Sequence, residues 1–256
     1  MGVYNGEKTV RESIDSVLAQ TFTDWEFVIC NDASTDSTPP ILEEYKERYP
    51  EKFIILHNEK NLMLSGCLNR CLKAASGEYI ARMDDDDKCL PQRFAVEVAC
   101  LDAHPEYSVV GSEVQFFNAE GLGEVIHKIQ EPTVYDVPKV NPFFHPTIMM
   151  RKSVYDALGG YTSNERTRRM EDVDLWYRFF AAGYRGYNIP EVLLYYRFDS
   201  NALKKRKLKY SVDACKIVFG GVRMLQLPAK YYLYSLKPLL SWAMPEKLKT
   251  IYRKKR

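Results

Sequence analysis

Glu78-Tyr79-Ile80-Ala81-Arg82-Met83-Asp84-Asp85-Asp86-Asp87 is a short apolar run that ends in four consecutive carboxylates. Such a run predicts a strand buried in a sheet, with an acidic loop opening at its carboxyl end. Four adjacent carboxylates repel one another unless a cation neutralises them. Mg²⁺ takes oxygen ligands, typically one or two carboxylates plus substrate phosphates, so the stretch suits a metal bridging protein to a diphosphate. The competing reading is a solvated acidic turn capping the helix that follows Pro91, since charge runs are usually solvated. The rest of the chain decides between the two.

Upstream, apolar positions switch between strand-like runs and helical spacing. Val10, Ile14, Val17 and Leu18 mark a helix, Trp25 to Cys30 a strand, and Ile41, Leu42, Tyr45 and Tyr49 a second helix entered through Ser37-Thr38-Pro39. Phe53 to Leu56 form a strand, Leu64, Leu68, Leu72 and Ala75 a helix, and the acidic strand comes next. A helix through Phe94, Val98 and Leu101 and a strand from Tyr107 towards Phe117 follow. This alternation predicts an α/β fold with a mostly parallel central sheet flanked by helices. Ligands of such sheets sit at the carboxyl ends of the strands, where both Asp32 and Asp84 to Asp87 fall. Two acidic loops on one edge favour a site over solvated turns.

Beyond Gly111 the alternation decays, and Gly121 to Pro142 reads as a variable loop region. A strand over His145 to Arg151, a helix from Tyr155 closed by glycine, and an amphipathic helix beginning near Met170 are expected next. Val173, Trp176, Tyr177 and Phe180 form the apolar face of that last helix, and Glu171 and Asp172 lie in its first turn. The macrodipole alone explains acids there, so a structural role and a catalytic one stand level on this feature. Val192 to Arg197 is a late strand.

The net charge of +2 conceals a split. Leu203 to Arg256 carries 15 Lys and Arg against Asp213 and Glu246, while the preceding residues carry 21 against 32 acids. The expected organisation is a body over residues 1–202 and a basic, aromatic-rich helical C-terminal region over 203–256. The blocks Lys204 to Lys209 and Tyr252 to Arg256, with Tyr231 to Trp242 between them, suit the headgroup layer of an anionic membrane. A packed helical appendage with a solvated basic face is the equal alternative. The region holds no nucleic-acid-binding motif, so nucleic acid is not expected as a partner. Six cysteines without a CxxC pair fall in or near apolar runs and read as reduced, buried thiols. With no signal peptide and no apolar run of ~18 residues, the expected location is cytoplasmic, at most peripheral to the inner face of the membrane.

Taken together, the stretches Val3 to Glu7 (VYNGE), Ser13 to Asp36, Gly77 to Asp87, His145 to Arg151, Gly159 to Tyr161 and Glu171 to Arg178 (EDVDLWYR) resemble the family 2 nucleotide-sugar glycosyltransferases of GT-A fold. They run in family order over residues 1 to about 200. The resemblance implies a Rossmann-like GT-A body and transfer of a sugar from a nucleotide-diphosphate donor, UDP foremost, to a hydroxyl of a glycan or lipid-linked acceptor. Bacterial surface polysaccharide synthesis is the implied setting.

Site residues follow from the same resemblance. Val3, Tyr4 and Asn5 line the nucleotide pocket, with Glu7, Arg82 and Asp85 among the donor-binding positions, and Asp32 hydrogen-bonds the base. Asp84 lies near the ribose, and Asp86 binds Mn²⁺ or Mg²⁺ across the diphosphate, with Asp85-x-Asp87 as an alternative register. Asp172 is the general base of an inverting displacement. Three departures stand out. The chain starts at Met1, where the family has a longer apolar strand, so the first strand reads as truncated. Met63 stands where the family has a glycine that lets backbones approach. No QxxRW follows the Asp172 helix, which argues against a processive synthase. A non-catalytic nucleotide-sugar-binding relative and a membrane-surface scaffold are the alternative functions.

Overall fold

The computed structural model describes residues 1–198 and 208–244. Three parallel strands lead: β1 (Gly2–Val3), β2 (Phe27–Asn31) and β3 (Phe53–His57), joined through α1 (Val10–Leu18) and α2 (Thr38–Arg48). Every residue of β2 is buried, as a continuous apolar run between two neighbours requires. The Met1 amine donates to the Val28 carbonyl at 2.9 Å, and its own carbonyl accepts from Cys30. The two-residue β1 is thus fully paired with β2, in register Gly2 to Cys30 and Val3 to Asn31.

After α3 (Met63–Ala74) the chain enters a second sheet built from β4 (Tyr79–Ala81), β5 (Lys88–Cys89), β6 (Val109–Asn118), β7 (Gly121–Ile126), β8 (Met149–Arg151) and β9 (Gly186–Arg197). Their order is β4-β8-β6-β9-β5, with β7 pairing on β6. This half corrects the expectation of a mostly parallel sheet. Only β6 with β9 is parallel, while β4 with β8, β6 with β8, β5 with β9 and β6 with β7 are antiparallel. Helical periodicity upstream implied crossovers throughout, but no helix long enough for a crossover connects β6 to β8 along that path, and a hairpin does connect β6 to β7. The variable loop expected over Gly121 to Pro142 therefore begins with a strand, which its glycines hid. Likewise His145 to Arg151 is not all strand: His145–Thr147 is a 3-10 turn held by Pro146, and only Met149–Arg151 is paired.

The helices α4 (Arg93–Ala103), α5 (Lys152–Leu158) and α6 (Glu171–Ala181) complete the body. α5 ends at Gly159 with φ 71°, the expected left-handed glycine cap. On α6 the apolar face is wider than the spacing suggested, with Leu175, Trp176, Tyr177, Phe179 and Phe180 buried. Against them pack Val218 and Val222 of α7 (Leu208–Met224), so the C-terminal region shares a core with α6. A 3-10 segment (Ala229–Leu236) and α8 (Lys237–Ala243) follow, leaving Leu233, Leu236 and Leu240 exposed. The basic blocks at 204–207 and 252–256 lie outside the described residues. Among the described residues no helix is long and apolar enough to cross a membrane. All six cysteines are free, and Cys30, Cys67, Cys71 and Cys89 are buried.

Candidate active site

β2 and β4 deliver their loops to one edge. At the end of β2, Asp32 is buried, and its Oδ1 accepts from Asn58 Nδ2 at 2.6 Å and from the Leu62 amide at 2.7 Å. Asp32 thereby fixes the entrance to α3, where Met63 takes φ 65° in the left-handed region. Val3 is buried in the core and offers the edge its carbonyl, which accepts from the Asp32 amide at 2.8 Å. Tyr4 is half exposed at the rim. Asn5, at φ 55°, accepts from the Thr35 amide at 2.8 Å and ties the first loop to the one after β2. Glu7 accepts from the Ser37 amide at 3.0 Å and its own amide donates to Asp36 at 3.1 Å, so its carboxylate caps α2.

The acidic loop leaves β4 through Arg82, which is buried and ion-paired with Asp84. Burial works against the guanidinium charge, but Asp84, assisted by Asp87, more than restores it and raises the Arg82 pKa. A second buried arginine sits underneath. Arg93 is fully enclosed with Glu97, donates to both of its carboxylate oxygens at 3.0 and 3.2 Å, and donates to the Arg82 carbonyl at 2.9 Å. That hydrogen bond anchors the backbone where strand becomes loop.

Beyond it the four aspartates diverge. Carboxylate oxygens of Asp84, Asp86 and Asp87 lie within 4.8 Å of one another. Asp85 instead turns towards the first loop, so close that a Cβ on Gly6 would meet its Oδ2 at 2.4 Å. Only glycine at position 6 allows that approach. Burial, then the charges of Asp84 and Asp86, push Asp85 up to about 7 and Asp87 up to about 8. Asp86 is raised by burial and Asp84. Asp87 Oδ1 accepts the Arg197 amide at 2.8 Å, while its Oδ2 is buried without a partner. A buried carboxylate oxygen left open beside two more carboxylates fits a hard divalent cation, which would satisfy it and relieve the repulsion.

Asp172 begins α6, half-buried, and accepts from Asn141 Nδ2 at 2.5 Å. Burial raises its pKa, against the pull of the Val173 amide, Asn141 and Arg82. Glu171 is also raised by burial, reinforced by the Asp172 charge, against the pull of its own amide, Arg82 and the Arg169 amide. Asp174 is committed elsewhere, to Thr162 Oγ1 at 2.7 Å and Arg178 Nε at 2.9 Å. Arg82 is therefore the charge that the acidic loop and the start of α6 share. Behind it His145 Nε2 and Tyr161 OH are 2.8 Å apart, and Tyr161 OH lies 2.9 Å from Tyr155 OH. Burial, reinforced by the Arg82 charge, drives the His145 pKa down and leaves the ring neutral. Asn69 clasps Tyr161 by both backbone groups at 2.8 Å.

The structure thus brings Arg82, Asp84, Asp86, Asp87, Glu171 and Asp172 into one electrostatic neighbourhood, and leaves Glu7 in a capping role. Asn141, Arg197, Asn58 and the Arg93–Glu97 pair escaped the sequence reading. Lone polar residues in loops and strands carry no periodic or motif signal that would mark them.

Comparison with known proteins agrees with this geometry. The family model for glycosyl transferase family 2 matches residues 1–159. The Bacillus subtilis (strain 168) protein named “Putative glycosyltransferase EpsE” is 44% identical over 258 residues, spanning 100% of this chain and 92% of the relative. The amylovoran biosynthesis glycosyltransferase AmsE of Erwinia amylovora is 29% identical over 81% of this chain and 78% of its own. In fold, S. aureus TarS 1-349 in complex with UDP-GlcNAc superposes with TM-score 0.71 at 19% identity, over 94% of this chain and 69% of that one. The mannosyltransferase PcManGT of Pyrobaculum calidifontis, in complex with GDP-Man and Mn²⁺, gives 0.67 at 16% identity over 99% and 77%. An α/β body with a GT-A-type curled sheet, a 44% identical relative matched over 92% of its length and a family match over residues 1–159 lead to one conclusion: the chain is a glycosyltransferase and belongs to glycosyl transferase family 2.

Proposed function

We propose that this chain is an inverting, metal-dependent transferase that moves a sugar from a UDP-sugar to a hydroxyl of a lipid-linked glycan in bacterial surface polysaccharide synthesis. The observation that carries the reading is the convergence of the Asp84, Asp86 and Asp87 carboxylates, one of which, Asp87, keeps a buried Oδ2 without a partner. Asp86 and Asp87, with Asp84 at the ribose side, would hold Mn²⁺ or Mg²⁺. Bound there, the cation would neutralise charge developing on the leaving diphosphate. Val3, Tyr4, Asn5 and Asp32 border the place for the base, and Arg82 braces Asp84. Asp172, raised by burial and steered by Asn141, accepts the proton of the attacking hydroxyl. The relatives include glycosyltransferases of named bacterial polysaccharides, which supports the biosynthetic setting.

Residues 1–202 carry this chemistry in the proposal, and region 203–256 presents basic and apolar groups to an anionic membrane. Exposed Leu233, Leu236 and Leu240 in a stretch whose last acid before Met244 is Asp213 support that role. Calorimetric titration of nucleoside diphosphates with and without Mn²⁺ tests the donor site. UDP should bind only with the metal, and Asp86→Ala should remove that binding. Equal UDP affinity in EDTA would contradict the assignment.

A further inference from the structure

Two neighbouring glycines on α7 face different surroundings. A Cβ on Gly221 would meet the Tyr177 ring at 2.3 Å, so that glycine lets α7 close on α6. A Cβ on Gly220 would meet nothing within 4 Å. Glycine weakens a helix relative to alanine, and the packing of α7 gives no reason for one at 220. Beside Gly220 lies a groove of about 350 Å³, lined by Cys215, Lys216, Phe219, Gly220 and Arg223 of α7 and by Ser235 of the 3-10 segment. That volume falls in the range of small-ligand sites, about 300–1,000 Å³.

The groove is mainly apolar, with a cation on either side of its centre. Phe219 is half exposed, and its ring packs on Tyr232 with centroids 4.8 Å apart. Ser235 is buried, and its Oγ donates to the Tyr232 carbonyl at 2.6 Å. Lys216 and Arg223 flank Phe219 and Gly220 along the helix, seven residues and so ~10 Å apart. Both are exposed, and neither makes an ion pair among the described residues. Residues 214–244 hold four cations and no acid, and Leu233, Leu236 and Leu240 on the following segments are exposed as well.

We infer, resting on the membrane-facing reading of region 203–256, that this groove binds one anionic phospholipid. Its phosphate sits between Lys216 and Arg223, and an acyl chain lies over Phe219 in the space that Gly220 leaves. Charge and apolarity together select the occupant. Residues 245–256 carry six cations and one acid, so the chain's own tail is repelled from the groove. An acidic protein surface would answer the two cations and leave the apolar lining uncovered. An anionic lipid answers both, through charge-assisted hydrogen bonds to its phosphate and hydrocarbon removed from water against Phe219.

The test uses full-length protein and dihexanoylphosphatidylglycerol kept below its micelle concentration, so that the lipid meets the protein as a monomer. Calorimetry should give one site per chain, with dihexanoylphosphatidylcholine and inorganic phosphate each at least ~10-fold weaker. Gly220→Leu fills the groove with a good helix former where nothing clashes, and leaves every charge in place. It should weaken monomer binding at least ~10-fold with a melting temperature at or above wild type, which shows that the variant is folded. Lys216→Gln/Arg223→Gln should weaken it by a similar factor through charge. Undiminished lipid binding by Gly220→Leu would overturn the inference. Inorganic phosphate bound as tightly as the lipid would overturn it too, marking a free-phosphate site. So would wild type that sediments with phosphatidylglycerol vesicles yet binds no monomer, which leaves only a delocalised basic surface. Wild type that binds the monomer but no vesicle would keep the lipid site and strike the membrane-facing reading instead, so the two failures are distinguishable.

Discussion

Arg197 holds Asp87 from 110 residues away: its backbone amide donates to Asp87 Oδ1 at 2.8 Å, and its Nε donates to the Asp86 carbonyl at 2.8 Å. The guanidinium also pairs with Glu12 of α1, which Lys88 reaches at 2.6 Å from the other side. The end of β9 thus fixes both the backbone and one carboxylate of the acidic loop. Arg197→Ala keeps the backbone amide but frees the Asp86 carbonyl. It should weaken Mn²⁺ binding in calorimetry by roughly 10-fold, the worth of about one charge-assisted hydrogen bond. Unchanged Mn²⁺ affinity would show that the loop needs no clamp.

The acidic loop also sets a pH dependence. Asp85 and Asp87, at about 7 and about 8, bind protons more tightly in the folded chain than in the unfolded one. Their folded pKa values lie above the ordinary aspartate value, so apo stability rises as pH falls from above 8 to 6. Glu97, pushed up to about 7 by burial against the opposing charge of Arg93, acts in the same direction. Apo protein should therefore melt at higher temperature at pH 6 than at pH 8.5. Mn²⁺ competes with those protons, so its affinity should change in the opposite sense, rising as pH increases from 6 to 8.5. Asp87→Asn should flatten part of the apo slope, and a wild-type melting temperature that falls from pH 8.5 to pH 6 would refute the assignment.

Much of this architecture was legible from periodicity. The β2 run, the glycine cap of α5 and the apolar face of α6 each follow from local pattern. The antiparallel half was not, because β4, β5 and β8 are two or three residues long and owe their pairing to partners distant in sequence. The acidic loop was visible as composition, but its geometry was not. Composition and spacing alone do not tell the four aspartates apart, and the resemblance separated them only by role, whereas in the fold Gly6 admits Asp85 to the first loop and the Arg197 amide binds Asp87. Arg93 and Glu97 carry no sequence signal beyond a four-residue spacing on a helix, and only burial under the Arg82 carbonyl distinguishes them.

That buried pair predicts an asymmetry. Arg93→Leu leaves Glu97 enclosed and the Arg82 carbonyl without its donor, and should cost about 3–5 kcal/mol in urea unfolding. Arg93→Leu/Glu97→Leu removes both charges and should cost clearly less. A double variant as unstable as the single one would mean that the carbonyl contact, rather than charge pairing, dominates.

Met63 offers a test of strain. At φ 65° a side chain costs about 1–2 kcal/mol, which glycine avoids at the expense of about 0.4–1 kcal/mol of unfolded-state entropy. Met63→Gly should therefore be more stable than Met63→Ala by about 0.5–1 kcal/mol. Equal stability of the two variants would show that the turn is not strained.

Asp172 carries the proposed chemistry. A positioned carboxylate that takes the acceptor proton in the transition state contributes about 10²–10⁴-fold. The measurement is turnover of the sugar nucleotide selected by calorimetry, followed as nucleoside diphosphate release with a detergent-solubilised bacterial lipid-linked glycan. Asp172→Asn retains size and can still meet Asn141, so kcat should fall by at least ~10²-fold while donor affinity holds. Near-wild-type kcat in Asp172→Asn, with loss in Glu171→Gln, would contradict the account.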